Sequence, residues 1–217
     1  MTGPPVREVL RRLREEQGPL APRPRLPVLD ELIATVLSQH TSDRNSERAF
    51  FLLRSRFPSW EEVRHAPTGE IADAIRCGGI ADQKAVRIQR ILAEIERREG
   101  VLDLERLRRL DDAEVERYLT SLPGVGPKTA ACVLLFAMGR PAFPVDTHVH
   151  RVTTRLGWLR VGATAEEAHR VLSALVPPDI RHDLHLALVT HGRRVCRARV
   201  PHCPTCPIRR WCTRGPA

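Results

Sequence analysis

A glycine- and proline-rich turn between two helical patterns constrains this chain more than any other stretch. Residues 122–130 read Leu-Pro-Gly-Val-Gly-Pro-Lys-Thr-Ala, and the apolar segment Cys132 to Met138 follows. Gly124 and Gly126 permit a tight turn with positive φ and a close approach of backbone to whatever lies outside it. Pro127 suits the first position of a helix, because its φ is already fixed and its missing N–H has no partner there anyway. Upstream, Asp111 with Glu114 three residues later signals a capped helix start ahead of Val115, Tyr118 and Leu119. The stretch therefore predicts two helices joined by a glycine turn, with Lys128 in the first turn of the second.

Helical spacing recurs along the rest of the chain. Val6, Val9, Leu10 and Leu13 mark a helix over about 4–17, and Leu29, Leu32, Ile33, Val36 and Leu37 mark a more apolar one over 28–38. Helices are also expected over 43–57, from Ser59 through Val63, from Thr68 to the Cys77-Gly78-Gly79 stop, over 84–99, over 149–156, over 165–176 and over 180–195. Residues 80–85 read as a loop before the long helix. No segment alternates as a strand would, so the fold class is all-α. Breaker segments at 18–27 and 139–144 divide the chain into a central lobe over 23–136, with the hairpin at about 112–138, and a second lobe assembled from 1–22 and 137–217. Lys128 then falls in one lobe and Asp146 in the other, facing each other across an expected cleft.

Charge narrows the partner. A net charge of +9 calls for a polyanion, and no apolar run is long enough to span a membrane. The N-terminus lacks the apolar core of a signal peptide, so a cytoplasmic monomer acting on nucleic acid is expected. Of the 35 basic residues only Lys84 and Lys128 are lysines. Arginine contacts phosphate at least as well but essentially never deprotonates, so a lysine at the hairpin points to chemistry that needs an amine. A helix start attracts phosphate and disfavours a protonated amine, which favours the nucleophilic form of Lys128. The plain alternative is one more phosphate-contacting cation.

Four of the six cysteines, Cys196, Cys203, Cys206 and Cys212, fall in the last 22 residues with the spacing C-x6-C-x2-C-x5-C. In a chain without an export signal this reads as metal ligation, and zinc and an iron–sulfur cluster are both open on the residues alone. Arg197, Arg199, Arg209, Arg210 and Arg214 surround the ligands, either as a positive rim for phosphates or as a solvated surface. Cys77 and Cys132 read as small buried side chains.

The segment 122–130, followed by Val145-Asp146-Thr147-His148 and Arg151 and ending in the four cysteines, resembles the endonuclease III family of DNA glycosylases over nearly the whole chain. The resemblance implies a two-lobed helix-hairpin-helix fold, a 4Fe–4S cluster on the loop 196–212, and a partner in damaged double-stranded DNA, with single strands a second. It implies removal of oxidised pyrimidines by Lys128 through an imine, followed by lyase cleavage, with Asp146 as the acid–base partner. It also implies DNA contacts from Gly124, Gly126, His148, Arg151, Gln39 and Ile80, the last two entering the gap left by an extruded nucleotide. Gln39 stands in a segment, Ser38-Gln39-His40-Thr41-Ser42-Asp43, whose spacing departs from the family's, and the tip Ile80-Ala81-Asp82 is smaller than a typical Leu-Tyr-Asn. Each assignment has a structural competitor: a helix cap for Asp146 and His148, and a helix-end residue for Gln39. The rivals to this reading are a glycosylase of another base specificity and a non-catalytic, metal-stabilised DNA-binding module.

Overall fold

The structure is a computed structural model and describes residues 3–19 and 24–213. The expected lobe boundary at residues 22 and 23, and Arg214, lie outside the described residues. Among them there are eleven α-helices and no strand. In chain order the helices are α1 (Val6–Gln17), α2 (Val28–Leu37), α3 (Asp43–Arg56), α4 (Trp60–His65), α5 (Thr68–Ala74), α6 (Ala81–Glu99), α7 (Asp112–Thr120), α8 (Pro127–Cys132), α9 (Thr147–Arg155), α10 (Ala165–Leu175) and α11 (Arg181–Arg194). The chain separates into two units, Arg25–Arg140 and Met1–Pro24 with Pro141–Ala217.

In the unit 25–140, α2 is apolar on nearly every side, with Val28, Leu32, Ile33, Val36 and Leu37 fully buried. It packs against α3, α6 and α8, as a helix without a polar face must. The stripe Ile88, Ile91, Leu92 and Ile95 on α6 is also fully buried, and each side chain contributes about 1.5–3 kcal/mol by leaving water. Ile91→Ala should therefore destabilise the protein by roughly 2–5 kcal/mol, read as a lowered denaturant midpoint with unchanged slope.

Sequence signals set several helix ends as expected. Asp111 and Glu114 form a reciprocal capping box on α7, and Thr164 accepts from the Glu167 N–H at the start of α10. Ser59 accepts from the Glu62 N–H, but the Glu62 carboxylate turns to the Ser59 hydroxyl, so only half of the box forms.

Two expectations need correction. The long helix α6 starts at Ala81 and not at Lys84, so most of the expected loop 80–85 is helical and Ala81 is buried. The apolar run after Lys128 is not one regular α-helix. It widens to a π-helix over Val133–Ala137, with the Met138 N–H donating to the Val133 carbonyl, and Gly139 ends it at φ 67°. No residue in Val133–Ala137 signals that widening, because the side chains are those of an ordinary buried helix.

In the other unit, α1 and α9 each pack on α11 around a core that includes Val9, Leu13, Phe143, Val149, Val152, Trp158, Leu172 and Leu188. Arg7 pairs with Asp179, and Arg14 with Asp183, tying the N-terminal helix to the C-terminal segment. No helix of the described residues is long and apolar enough to cross a membrane.

Candidate functional site

Helix α7 ends at Thr120, and residues 121–126 turn the chain into α8. Gly124 takes φ 71°, the left-handed region in which a Cβ is strained. Gly126 differs from expectation: at φ −105° and ψ 178° it is extended backbone serving as the N-cap of α8. Its carbonyl accepts from the N–H groups of Thr129 and Ala130, and Pro127 occupies the first helical position. Both glycines are exposed, Lys128 is part-exposed in the first helical turn, and Thr129 and Ala130 are buried behind it. Gly124→Ala should cost about 1–2 kcal/mol for the left-handed backbone, measured by chemical denaturation. The new Cβ would also stand 2.8 Å from Arg87 Nε, on a side chain able to move. Gly126→Ala should cost less, since its backbone is ordinary and the space beside it is open.

The other lysine has a different fate. Lys84 is 1% exposed, and its ammonium donates to the carbonyls of Leu37 at 2.7 Å and Gly78 at 2.8 Å. Burial first, and the nearby Arg87 charge second, lower its pKa. Of the two lysines, Lys128 is part-exposed and Lys84 is buried.

In the other unit, the Asp146 carboxylate accepts from the Val149 N–H at 2.7 Å and so caps α9. The extended run-in to Asp146 is anchored where the buried His185 ring donates to the Pro144 carbonyl. His148 is half-buried and packed over Gly192 of α11, where an added Cβ would lie 2.8 Å from His148 Cβ. Burial, the largest influence, lowers the His148 pKa, with the Asp146 charge opposing. Arg151 donates through Nε to the Cys196 carbonyl, and through its terminal nitrogens to the carbonyls of Gly192 and Thr147 and to His148 Nδ1. These internal contacts occupy most of the guanidinium. They join α9 to α11 and to the cysteine loop.

The four C-terminal cysteines line one small space of about 30 Å³, walled also by Val195, Pro201, Arg155 and Arg209. Among the described residues no three metal-ligating side chains converge as a single ion requires. Burial, then the neighbouring Cys196, Cys212 and Cys203, push the Cys206 thiol up to about 11, with the Ile208 N–H opposing. Thiolates gathered this closely are a donor set that positive charge would stabilise. Arg155 supplies some of it by donating to Cys196 Sγ at 3.1 Å, and the same guanidinium binds the carbonyls of Arg197 and Ala198. Of the expected rim, Arg197 and Arg199 are exposed, while Arg210 pairs with Glu8 and stacks on Trp211.

The sequence model of the HhH-GPD superfamily base excision DNA repair proteins matches residues 33–178. The chain is 38% identical to Endonuclease III of Thermotoga maritima over 181 residues, covering 83% of this chain and 80% of that one. This chain belongs to the endonuclease III family. Endonuclease III of Sulfolobus acidocaldarius is 33% identical over 85% of this chain and 81% of its own length. An Arabidopsis thaliana protein named as a DNA glycosylase is 40% identical over 83% of this chain, which spans 65% of that protein's length. The fold of a trapped endonuclease III–DNA covalent intermediate superimposes with a TM-score of 0.81 at 30% identity, over 96% of this chain and 94% of that one.

Within this endonuclease III family member, the segment that carries Gln39 follows the C-terminal end of α2. Gln39 is half-buried, and its side-chain carbonyl accepts from Arg87 at 2.6 Å. The next residue, His40, is exposed and left-handed at φ 54°. Ile80 is 45% exposed and also left-handed at φ 43°. Sequence reading missed Arg87, which lies beside both Gln39 and Gly124, because an arginine on the face of a long helix carries no signal of its own.

Proposed function

We propose that this protein is a bifunctional base excision glycosylase that removes oxidised pyrimidines from DNA and then cuts the strand by β-elimination. The observation that carries this reading is the fate of the two lysines: Lys84 is locked inside on two carbonyls, while Lys128 stands part-exposed at the hairpin turn. A base in a duplex shields its sugar C1′ until the nucleotide is extruded. The hairpin turn at Gly124–Gly126 offers backbone N–H groups to phosphate without reading sequence. The neutral amine of Lys128 attacks C1′, the base departs with the glycosidic electron pair, and the opened sugar becomes an imine on Lys128 Nζ. Asp146 accepts the amine proton and stabilises the developing positive charge on the sugar. Loss of the C2′ proton then breaks the C3′–O bond, and the strand is cut on the 3′ side.

Cys196, Cys203, Cys206 and Cys212 would hold a 4Fe–4S cluster, which supplies the positive centre that their thiolates need and keeps the loop folded. Arg197 and Arg199 then stay at the surface, where they favour a polyanion. His148 and Arg151 serve by holding α9, and hence Asp146, against α11. Protein made with ample iron should be brown and contain about four iron atoms per chain. One zinc and no iron under those conditions would overturn the cluster assignment.

The function is tested with duplexes carrying an oxidised pyrimidine, by measuring base release, strand scission and covalent capture with borohydride. All three are expected from the wild-type protein. Binding without any of them would leave a DNA-binding module and sink the enzymatic reading.

A further inference from the structure

Helix α11 ends just before the first of the four C-terminal cysteines, and His191 stands in its last turn. The residue is 1% exposed. Its carbonyl accepts from the N–H of Val195 at 2.9 Å and from the N–H of Cys196 at 2.8 Å, which fastens the first cysteine to the helix end. Its ring reaches the third cysteine, with Nε2 3.6 Å from Cys206 Sγ. One buried side chain thus stands against a sulfur of the cysteine loop while its backbone anchors another ligand position.

The two ring nitrogens decide what that contact is. Nδ1 is buried and has no hydrogen-bond partner. A neutral imidazole carries a single N–H, on one nitrogen or the other. A proton on Nδ1 would leave a buried donor unmet and turn the Nε2 lone pair toward the sulfur. A proton on Nε2 gives the donor an acceptor and leaves only a lone pair unmatched at Nδ1. The second arrangement is the one that satisfies the ring, because buried donors seek partners and the sulfur is the partner in reach. Arg155 makes a comparable contact with Cys196 Sγ at 3.1 Å, but its guanidinium also serves the carbonyls of Arg197 and Ala198 and so braces the loop as well.

We propose that His191 is the positioning residue that donates Nε2–H to Cys206 Sγ and thereby raises the reduction potential of the 4Fe–4S cluster. This rests on the cluster assignment proposed above. Ligating sulfurs carry more negative charge in the reduced form of such a centre, so a hydrogen bond to sulfur favours that form. Partners of the ligands tune a metal site in this way without touching the metal.

The role is read as a midpoint potential, by voltammetry of the iron-loaded protein, with iron measured on every sample. His191→Phe keeps a ring of similar size and the backbone carbonyl that holds Cys196, but it has no N–H for the sulfur. It should disfavour reduction by about threefold or more, a fall of about 30 mV or more for one electron. His191→Gln carries a side-chain N–H of about the reach of Nε2 and should recover at least half of that fall. Pulsed EPR of wild-type protein labelled with ¹⁵N-histidine, its cluster in the one-electron-reduced state, should show a ¹⁵N coupling that is lost in His191→Gln. That measurement carries the test if the phenylalanine variant does not hold iron.

An unchanged potential in iron-loaded His191→Phe, or no ¹⁵N coupling in the wild type, overturns the role of His191 and leaves the cluster standing. Equal falls in the phenylalanine and glutamine variants would make the ring a packing element and overturn the role too. One zinc and no iron in the wild type defeats the cluster assignment itself, and the role of His191 with it.

Discussion

Lys128→Gln should lose covalent capture on DNA containing an oxidised pyrimidine, and strand scission with it, while still binding that DNA. Glutamine keeps most of the length and polarity of the side chain but has no lone pair free to form an imine, so the covalent step has no substitute. The site is part-exposed, and substitutions away from buried contacts usually change stability by no more than about 0.5 kcal/mol, so unfolding does not confuse the result. The measurement is borohydride capture on a denaturing gel, beside a binding titration. Undiminished capture would assign the nucleophile to another amine. Lys84 is a poor replacement, because its ammonium is buried on two carbonyls and leaving them unsatisfied would cost about 1–3 kcal/mol each.

Asp146→Asn should slow base release by on the order of a hundredfold or more, the usual scale for a positioned acid–base group and about 2.7 kcal/mol of barrier. The substitution separates chemistry from architecture. Asp146 Oδ1 accepts the Val149 N–H at the start of α9, and asparagine offers a carbonyl oxygen of equal reach and similar capping strength. The thermal midpoint should therefore move little while the rate collapses. Asp146→Ala should do both, losing about 1 kcal/mol with the cap as well as the activity. Single-turnover base release and thermal melts of the two variants make the comparison. A fully active Asp146→Asn would leave this residue a helix cap and nothing more.

The helices were legible because their signals are local. Asp111 and Glu114, Thr164 and Glu167, and Asp146 before Thr147 each settle a helix start within four residues, and each forms as its chemistry requires. The glycine–proline turn was legible for the same reason, apart from Gly126, whose flexibility in sequence is spent on extended backbone and not on positive φ. Ile80 and Ala81 were read as a loop because isoleucine and alanine at a helix start offer no cap. Helix α6 begins there because Lys84 is drawn inward and its backbone N–H reaches the Ile80 carbonyl.

By itself the sequence determined the helical class, the hairpin that carries Lys128, the cap formed by Asp146 and the spacing of the four cysteines. All of these are fixed by short-range geometry, where residue type and separation leave few choices. Tertiary structure alone decided which polar groups are spoken for. It turned one lysine into an internal staple and left the other at the surface. It bound Gln39 to Arg87, exposed His40 beside Ile80, and committed Arg151 and Arg155 to carbonyls and a sulfur of the cysteine loop. The physical reason is that a buried donor or acceptor must find a partner wherever the fold supplies one, and those partners come from segments far away along the chain.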